Sequence, residues 1–157
     1  MAARLRLAAR SGRKLALTPR GRRLTADPGA LWRATARTLV GGGEFEEFAG
    51  EMFLVQLLAG RALSAVEVYD TIARAVSQEG FVRGPHEVPV TEHDAHRAAQ
   101  YTIWRCRALG LFTDGAGDRM LAKTYQLTPG GAATALEALR ARATRPLEPH
   151  PLYAVGR

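Results

Sequence analysis

The strongest constraint on this chain is the punctuation of its helices, because capping residues and glycines bracket the periodic segments along most of its length. Ser64 with Glu67 and Thr91 with Asp94 form capping boxes, in which a hydroxyl accepts a first-turn N–H and the acid three residues on reaches back. Asp27-Pro28 and Thr128-Pro129 place a capping side chain before a proline whose fixed φ suits the first helical position. Gly41-Gly42-Gly43, Gly60, Gly80 and Gly110 supply the stops.

Between these marks the apolar residues recur at helical spacing. Leu31, Trp32, Ala36 and Leu39 define a helix opened by Asp27. Phe45, Phe48, Met52 and Val55 define one over 44–59, whose last turns are apolar all round through Phe53, Leu54, Leu57 and Leu58. Val66, Tyr69, Ala73 and Val76 follow Ser64, and Ala95, Ala99, Ile103 and Cys106 follow Thr91. The stretch 81–90, with Gly84, Pro85 and Pro89, reads as a loop or a short extended piece. After Gly110, Leu111–Thr113 and Ala122–Leu127 read as a hairpin around a Gly/Asp turn, and Thr128 opens a last helix with Ala132, Leu136 and Leu139. Trp32, Phe45, Phe48, Met52, Phe53, Leu57, Tyr69, Ile72 and Ile103 are the expected core.

The expected fold class is therefore mainly α with small β-hairpins. Three helices followed by a hairpin resemble the winged helix-turn-helix superfamily, in which the third helix and the hairpin tip face the partner. The short first strand of that layout has no sequence signal here. The loop before the third helix is also longer than a standard helix-turn-helix turn.

Leu-Thr-Pro-x-Gly occurs twice, at Leu17–Gly21 and Leu127–Gly131, an offset of 110 residues. Upstream of the first copy, 5–8 and 14–17 flank Ser11-Gly12 and read as another hairpin, which makes residues 1–27 a candidate partial second winged-helix unit. The alternative is coincidence at two Thr-Pro helix starts. The expected division is a basic hairpin and helix start over 1–27, a winged-helix domain over 28–143 and a tail over 144–157. The run Leu15–Leu24, with Ala26-Asp27-Pro28, Ala30-Leu31-Trp32 and Glu44–Gly50, resembles the C-terminal half of actinobacterial proteins grouped with the plasmid pRiA4b ORF-3-like families. The resemblance covers about the first 60 residues, implies a distal portion of a larger architecture, and brings no activity with it.

Charge decides which partners are worth considering. The net charge is +7, yet residues 1–26 carry eight basic side chains and no acid, while the other 14 basic groups face 15 acidic ones. A basic hairpin of this kind matches phosphates, so Arg4, Arg6, Arg10, Arg13, Lys14 and Arg20 are candidate nucleic-acid contacts. On the third helix His93, Arg97, Gln100, Trp104 and Arg107 fall on one stripe, where Arg and Gln can meet base edges; Arg119 and Lys123 on the hairpin can meet phosphates. Against this, Glu92, Asp94, Asp114 and Asp118 dilute the same surface, and Glu44, Glu46, Glu47 and Glu51 offer the hairpin an acidic counterpart within the chain. Double-stranded DNA is one expected partner; a homodimer or a partner protein is the other.

No phosphate-binding Gly-Lys loop, nucleophile elbow or His-Glu-x-x-His pattern occurs, so neither catalysis nor a cofactor is expected. His86, His93 and His96 form the one cluster with metal-like chemistry, and their spacing does not make a zinc site. One cysteine excludes an internal disulfide, and without a long apolar run the expected location is the cytoplasm, with no membrane partner.

Overall fold

The computed structural model describes residues 6–60, 62–83, 88–89, 91–114 and 124–145. It is mainly helical with small antiparallel sheets. Strands β1 (Ala8–Ser11) and β2 (Lys14–Leu17) form the first hairpin, followed by helices α1 (Pro19–Ala26), α2 (Pro28–Ala36) and α3 (Glu44–Leu58). Strand β3 (Leu63–Ser64), helix α4 (Ala65–Gln78), the short pair β4 (Val82–Arg83) and β5 (Val88–Pro89), and helix α5 (Glu92–Ala108) come next. Strands β6 (Phe112–Asp114) and β7 (Thr124–Leu127) and helix α6 (Pro129–Ala143) complete the order.

The caps act as their residue types dictate. Ser64 Oγ accepts from Glu67 N at 3.2 Å while the Glu67 carboxylate accepts from Ser64 N at 2.8 Å, and Thr91 and Asp94 repeat the arrangement. Asp27 ends α1 and caps α2, accepting from Ala30 N at 2.9 Å, so the chain turns without a linker. Gly60, Gly80 and Gly110 hold φ of 84°, 66° and 62° after α3, α4 and α5, the left-handed geometry that stops a helix with least strain in glycine.

One strand, β3, carries no sequence signal. Leu63 and Ser64 pair antiparallel with Tyr125 and Thr124, giving a three-stranded sheet ordered β3-β7-β6. Two residues are too few to show alternation, and Ser64 serves at once as strand end and helix cap. The stretch after Gly80 similarly holds the β4–β5 pair, Val82 opposite Pro89 and Arg83 opposite Val88.

The core lies where α3, α4 and α5 meet this sheet. Phe53 is fully buried and packs edge-on against Phe112 and Tyr125, with centroids 6.3 and 5.7 Å away. Leu57, Tyr69, Ile72 and Ile103 are buried with it, as expected. Phe45, Phe48 and Met52 are only partly buried, the two phenylalanines meeting the Phe81 ring at the α3 end. Trp32 departs furthest from expectation: it is 40% exposed, and its indole N–H donates to Thr134 Oγ1 at 2.9 Å, which ties α2 to α6 through a polar contact. Gly50 lets α3 and α5 approach, since a Cβ there would lie 2.4 Å from Thr102 Oγ1. Among the described residues no helix is long and apolar enough to cross a membrane.

Candidate nucleic-acid interface

The basic hairpin is set by a two-residue turn and a threonine latch. Ser11 pairs with Lys14, which leaves Gly12 and Arg13 as the turn; φ is +60° at Gly12 and not positive at Arg13, the pattern of a type II′ turn. Arg10 Nε donates to Gly12 O at 3.0 Å across the tip. At the other end Thr18 N donates to Leu7 O at 2.9 Å, Thr18 Oγ1 donates to Arg6 O at 2.6 Å, and Gly21 N donates to Thr18 Oγ1 at 2.9 Å. Arg22 donates to Leu17 O at 3.1 Å, fixing α1 against β2.

This frame leaves Arg6, Arg10, Arg13, Lys14, Arg20, Arg22 and Arg23 exposed, and among the described residues none of the seven pairs with a carboxylate. Arg4 lies outside the described residues. Three of the four acids that could have neutralised the hairpin are engaged elsewhere. Glu47 and Glu51 bind Arg142 of α6, at 2.6 and 2.5 Å, Arg145 reaches Glu47 at 3.4 Å, and Glu46 accepts from Gly43 N at 2.9 Å. These pairs bound a polar cleft of about 480 Å³ between α2, α3 and α6, and they occupy its Arg142 and Arg145 guanidinium groups.

Helix α5 carries the second group of candidates and divides them. His93, Arg97 and Arg107 are exposed, whereas Ala95, Ala98, Ala99, Thr102, Ile103 and Cys106 are buried. Gln100 is not on the open stripe that its spacing predicts. It is half-buried, its amide donating to Tyr69 Oη at 3.1 Å and lying 2.9 Å from His96 Nε2. His96 stacks on the Tyr69 ring with centroids 3.8 Å apart, and the two offer the amide two polar partners that a solvated face lacks. Burial, then the nearby His93, lowers the His96 pKa; burial, then the Tyr125 hydroxyl, raises that of Tyr69.

Trp104 lies on the open side of α5 as its spacing predicts, whereas spacing gave no notice of Tyr101 and Arg105. Tyr101 and Trp104 are 45% and 61% exposed on the outer face of α5. Arg105 looks like one more surface cation in sequence. Instead its Nη1 donates to the carbonyls of Thr38, Leu39 and Gly41 at 2.9, 3.0 and 3.3 Å, and its guanidinium lies 4.1 Å from the Tyr101 ring centroid. These carbonyls lie beyond the end of α2, so the guanidinium ties the turn over 38–41 to α5.

Arg119 and Lys123 of the second hairpin, and His86 of the histidine cluster, lie outside the described residues. Among the described residues no group of three or more His, Cys, Asp or Glu side chains is placed to hold a metal ion. The basic hairpin and α5 belong to different parts of the packing. The hairpin rests on α1, α1 on α2 and α2 on α6, while α5 packs against α3 and α4. Comparison of the chain with models of known families, with curated proteins and with solved structures finds no match.

Proposed function

We propose that this chain is a non-enzymatic, winged-helix-type binding module whose basic N-terminal hairpin docks on the phosphates of double-stranded nucleic acid. The observation that carries the reading is the set of seven exposed cations over residues 6–23 that no carboxylate among the described residues neutralises. Cations held unpaired on one small frame release counterions when they meet phosphates, which makes binding strong at low salt and weakly dependent on sequence. From α3 to β7 the order is helix, strand, helix, the β4–β5 pair, helix, strand, strand; with the sheet ordered β3-β7-β6, this supports the winged-helix part of the reading. The inward turn of Gln100 removes one base-reading side chain from α5, so the proposed contact is chiefly with the backbone.

The test is fluorescence anisotropy of a mixed-sequence duplex titrated with the protein over a range of salt. If four or five phosphates are neutralised, log K falls against log salt with a slope of about −4. Replacing Arg10, Arg13 and Lys14 by Gln flattens the slope by two to three on the same arithmetic of about 0.9 per contact. Absence of binding at low salt overturns the proposal.

One observation favours a second reading, a protein-interaction or dimerisation module on the same fold. Tyr101 and Trp104 expose large aromatic surface on α5, and Trp, Tyr and Arg dominate the energetics of protein interfaces. If this reading holds, Trp104→Ala abolishes partner or self-association and leaves duplex binding untouched.

A further inference from the structure

The two hairpins are built on one plan, and only the second is covered. In the second, Thr128 N and Thr128 Oγ1 both donate to Leu111 O, at 3.0 and 3.2 Å, and Gly131 N donates to Thr128 Oγ1 at 3.0 Å. In the first, Thr18 and Gly21 repeat this around Leu7 O. Each glycine is obligatory for the same reason: a Cβ would lie 2.0 Å from Leu7 O at Gly21 and 1.7 Å from Leu111 O at Gly131. Arg6 holds φ of 51° where Gly110 holds 62°, and it is the one non-glycine residue with positive φ among the described residues. The strand registers agree too, with Ala8 opposite Leu17 and Arg10 opposite Leu15 matching Phe112 opposite Leu127 and Asp114 opposite Tyr125.

This equivalence states what the first hairpin lacks. In the second, β7 is the central strand: β3 pairs with its outer edge and Phe53 of α3 packs on Tyr125, which is 2% exposed. In the first, no described strand pairs with the outer edge of β2, and Leu15 and Leu17, the counterparts of Tyr125 and Leu127, are 80% and 45% exposed. Arg10 shares their face by register. An open strand edge beside an uncovered apolar face is a docking site, and the surrounding cations select what docks.

We propose that the β2 edge and the Leu15/Leu17 face receive a second polypeptide that presents an acidic, apolar-faced helix followed by a short strand. Within this chain α3 and β3 have that chemistry, with Glu44, Glu46, Glu47 and Glu51 on the helix and Leu63–Ser64 as the strand. A second copy of the chain fits less well, because pairing two β2 edges brings two all-cationic hairpins together. The proposal shares Arg10 and its neighbouring cations with the nucleic-acid reading and differs from it in using the leucines and the strand edge.

The experiment titrates the intact protein into a fluorescein-labelled synthetic peptide with the sequence of residues 44–64, at about 0.15 M salt. Saturable binding is expected, weakened by about tenfold or more in the uncharged Leu15→Gln, Leu17→Gln double variant and with a peptide in which Glu44, Glu46, Glu47 and Glu51 are Gln. Slowed hydrogen exchange at residues 14–17 is expected alongside it. Both leucines are exposed, so circular dichroism and thermal melting of the double variant should match the parent. No binding, or binding indifferent to the leucine changes, overturns the proposal. So does a dimer in sedimentation that the leucine changes dissociate, which gives the face to a second copy, or loss of duplex binding in that variant, which gives it to nucleic acid.

Discussion

Gly130 and Gly131 are neighbours in the first turn of α6, and replacing each by Ala should change stability in opposite directions. Nothing lies within 4 Å of a Cβ at Gly130, so Gly130→Ala gains the ordinary helix preference of Ala over Gly, about 0.8 kcal/mol. Gly131→Ala has the same intrinsic gain. Its Cβ, however, would fall 1.7 Å from Leu111 O and 2.7 Å from Leu111 C. That carbonyl cannot step aside cheaply, because it accepts from both Thr128 N and Thr128 Oγ1 and begins the chain's entry into β6. Opening the contact loses those two bonds, about 1 kcal/mol each, and adds about 2 kcal/mol of overpacking. Set against the helix gain, the net loss is about 3 kcal/mol. Urea unfolding followed by far-ultraviolet circular dichroism measures both variants. In a chain of this size about 1 kcal/mol moves the melting temperature by about 3 °C, so the two variants should melt about 10 °C or more apart. A Gly131→Ala protein as stable as Gly130→Ala would refute the claim that the strand and helix are joined by a contact too close for a side chain. By the same logic Gly21→Ala should loosen the first hairpin.

Other outcomes follow from single residues. Arg105→Met leaves the carbonyls of Thr38, Leu39 and Gly41 without their guanidinium donor and should cost about 2 kcal/mol in urea unfolding, with amide exchange quickening first around residues 38–43. His96 is held in its neutral form, so its contribution is intact above its unfolded pKa of about 6.5 and is lost as pH falls below that value, where the unfolded chain takes up a proton more readily than the folded one. Unfolding free energy measured from pH 8 to 5 should show this loss, and His96→Phe should remove that part of the slope. Burial pushes the Cys106 thiol up to about 12, so the native protein should resist iodoacetamide at pH 8 and react only on unfolding, as mass spectrometry would show.

The sequence by itself determined where helices begin, because a cap is a contract between residues three apart and needs no tertiary partner. Their ends were less legible: α2 stops at Ala36 and leaves Leu39, expected within it, in the turn before Gly41. Ser64 with Glu67, Thr91 with Asp94, and the two Thr-Pro starts were legible for that reason, and the repeated Leu-Thr-Pro-x-Gly marked a junction that folds the same way twice. Charge was legible as well, since the acid-free start needs only counting. Tertiary structure alone decided which side chains those helices spend on each other. A two-residue strand such as β3 exists only because β7 has an edge to pair with, and Gln100 left the predicted stripe because Tyr69 and His96, 31 and four residues distant, meet its amide. Arg105 became a tie to the turn after α2 and Trp32 a half-exposed tie for the same reason: their partners, Thr38, Leu39, Gly41 and Thr134, are remote in sequence and are brought within reach only by packing. Periodicity names the face of a helix on which a residue sits; what stands opposite that face is fixed by contacts that no local pattern encodes.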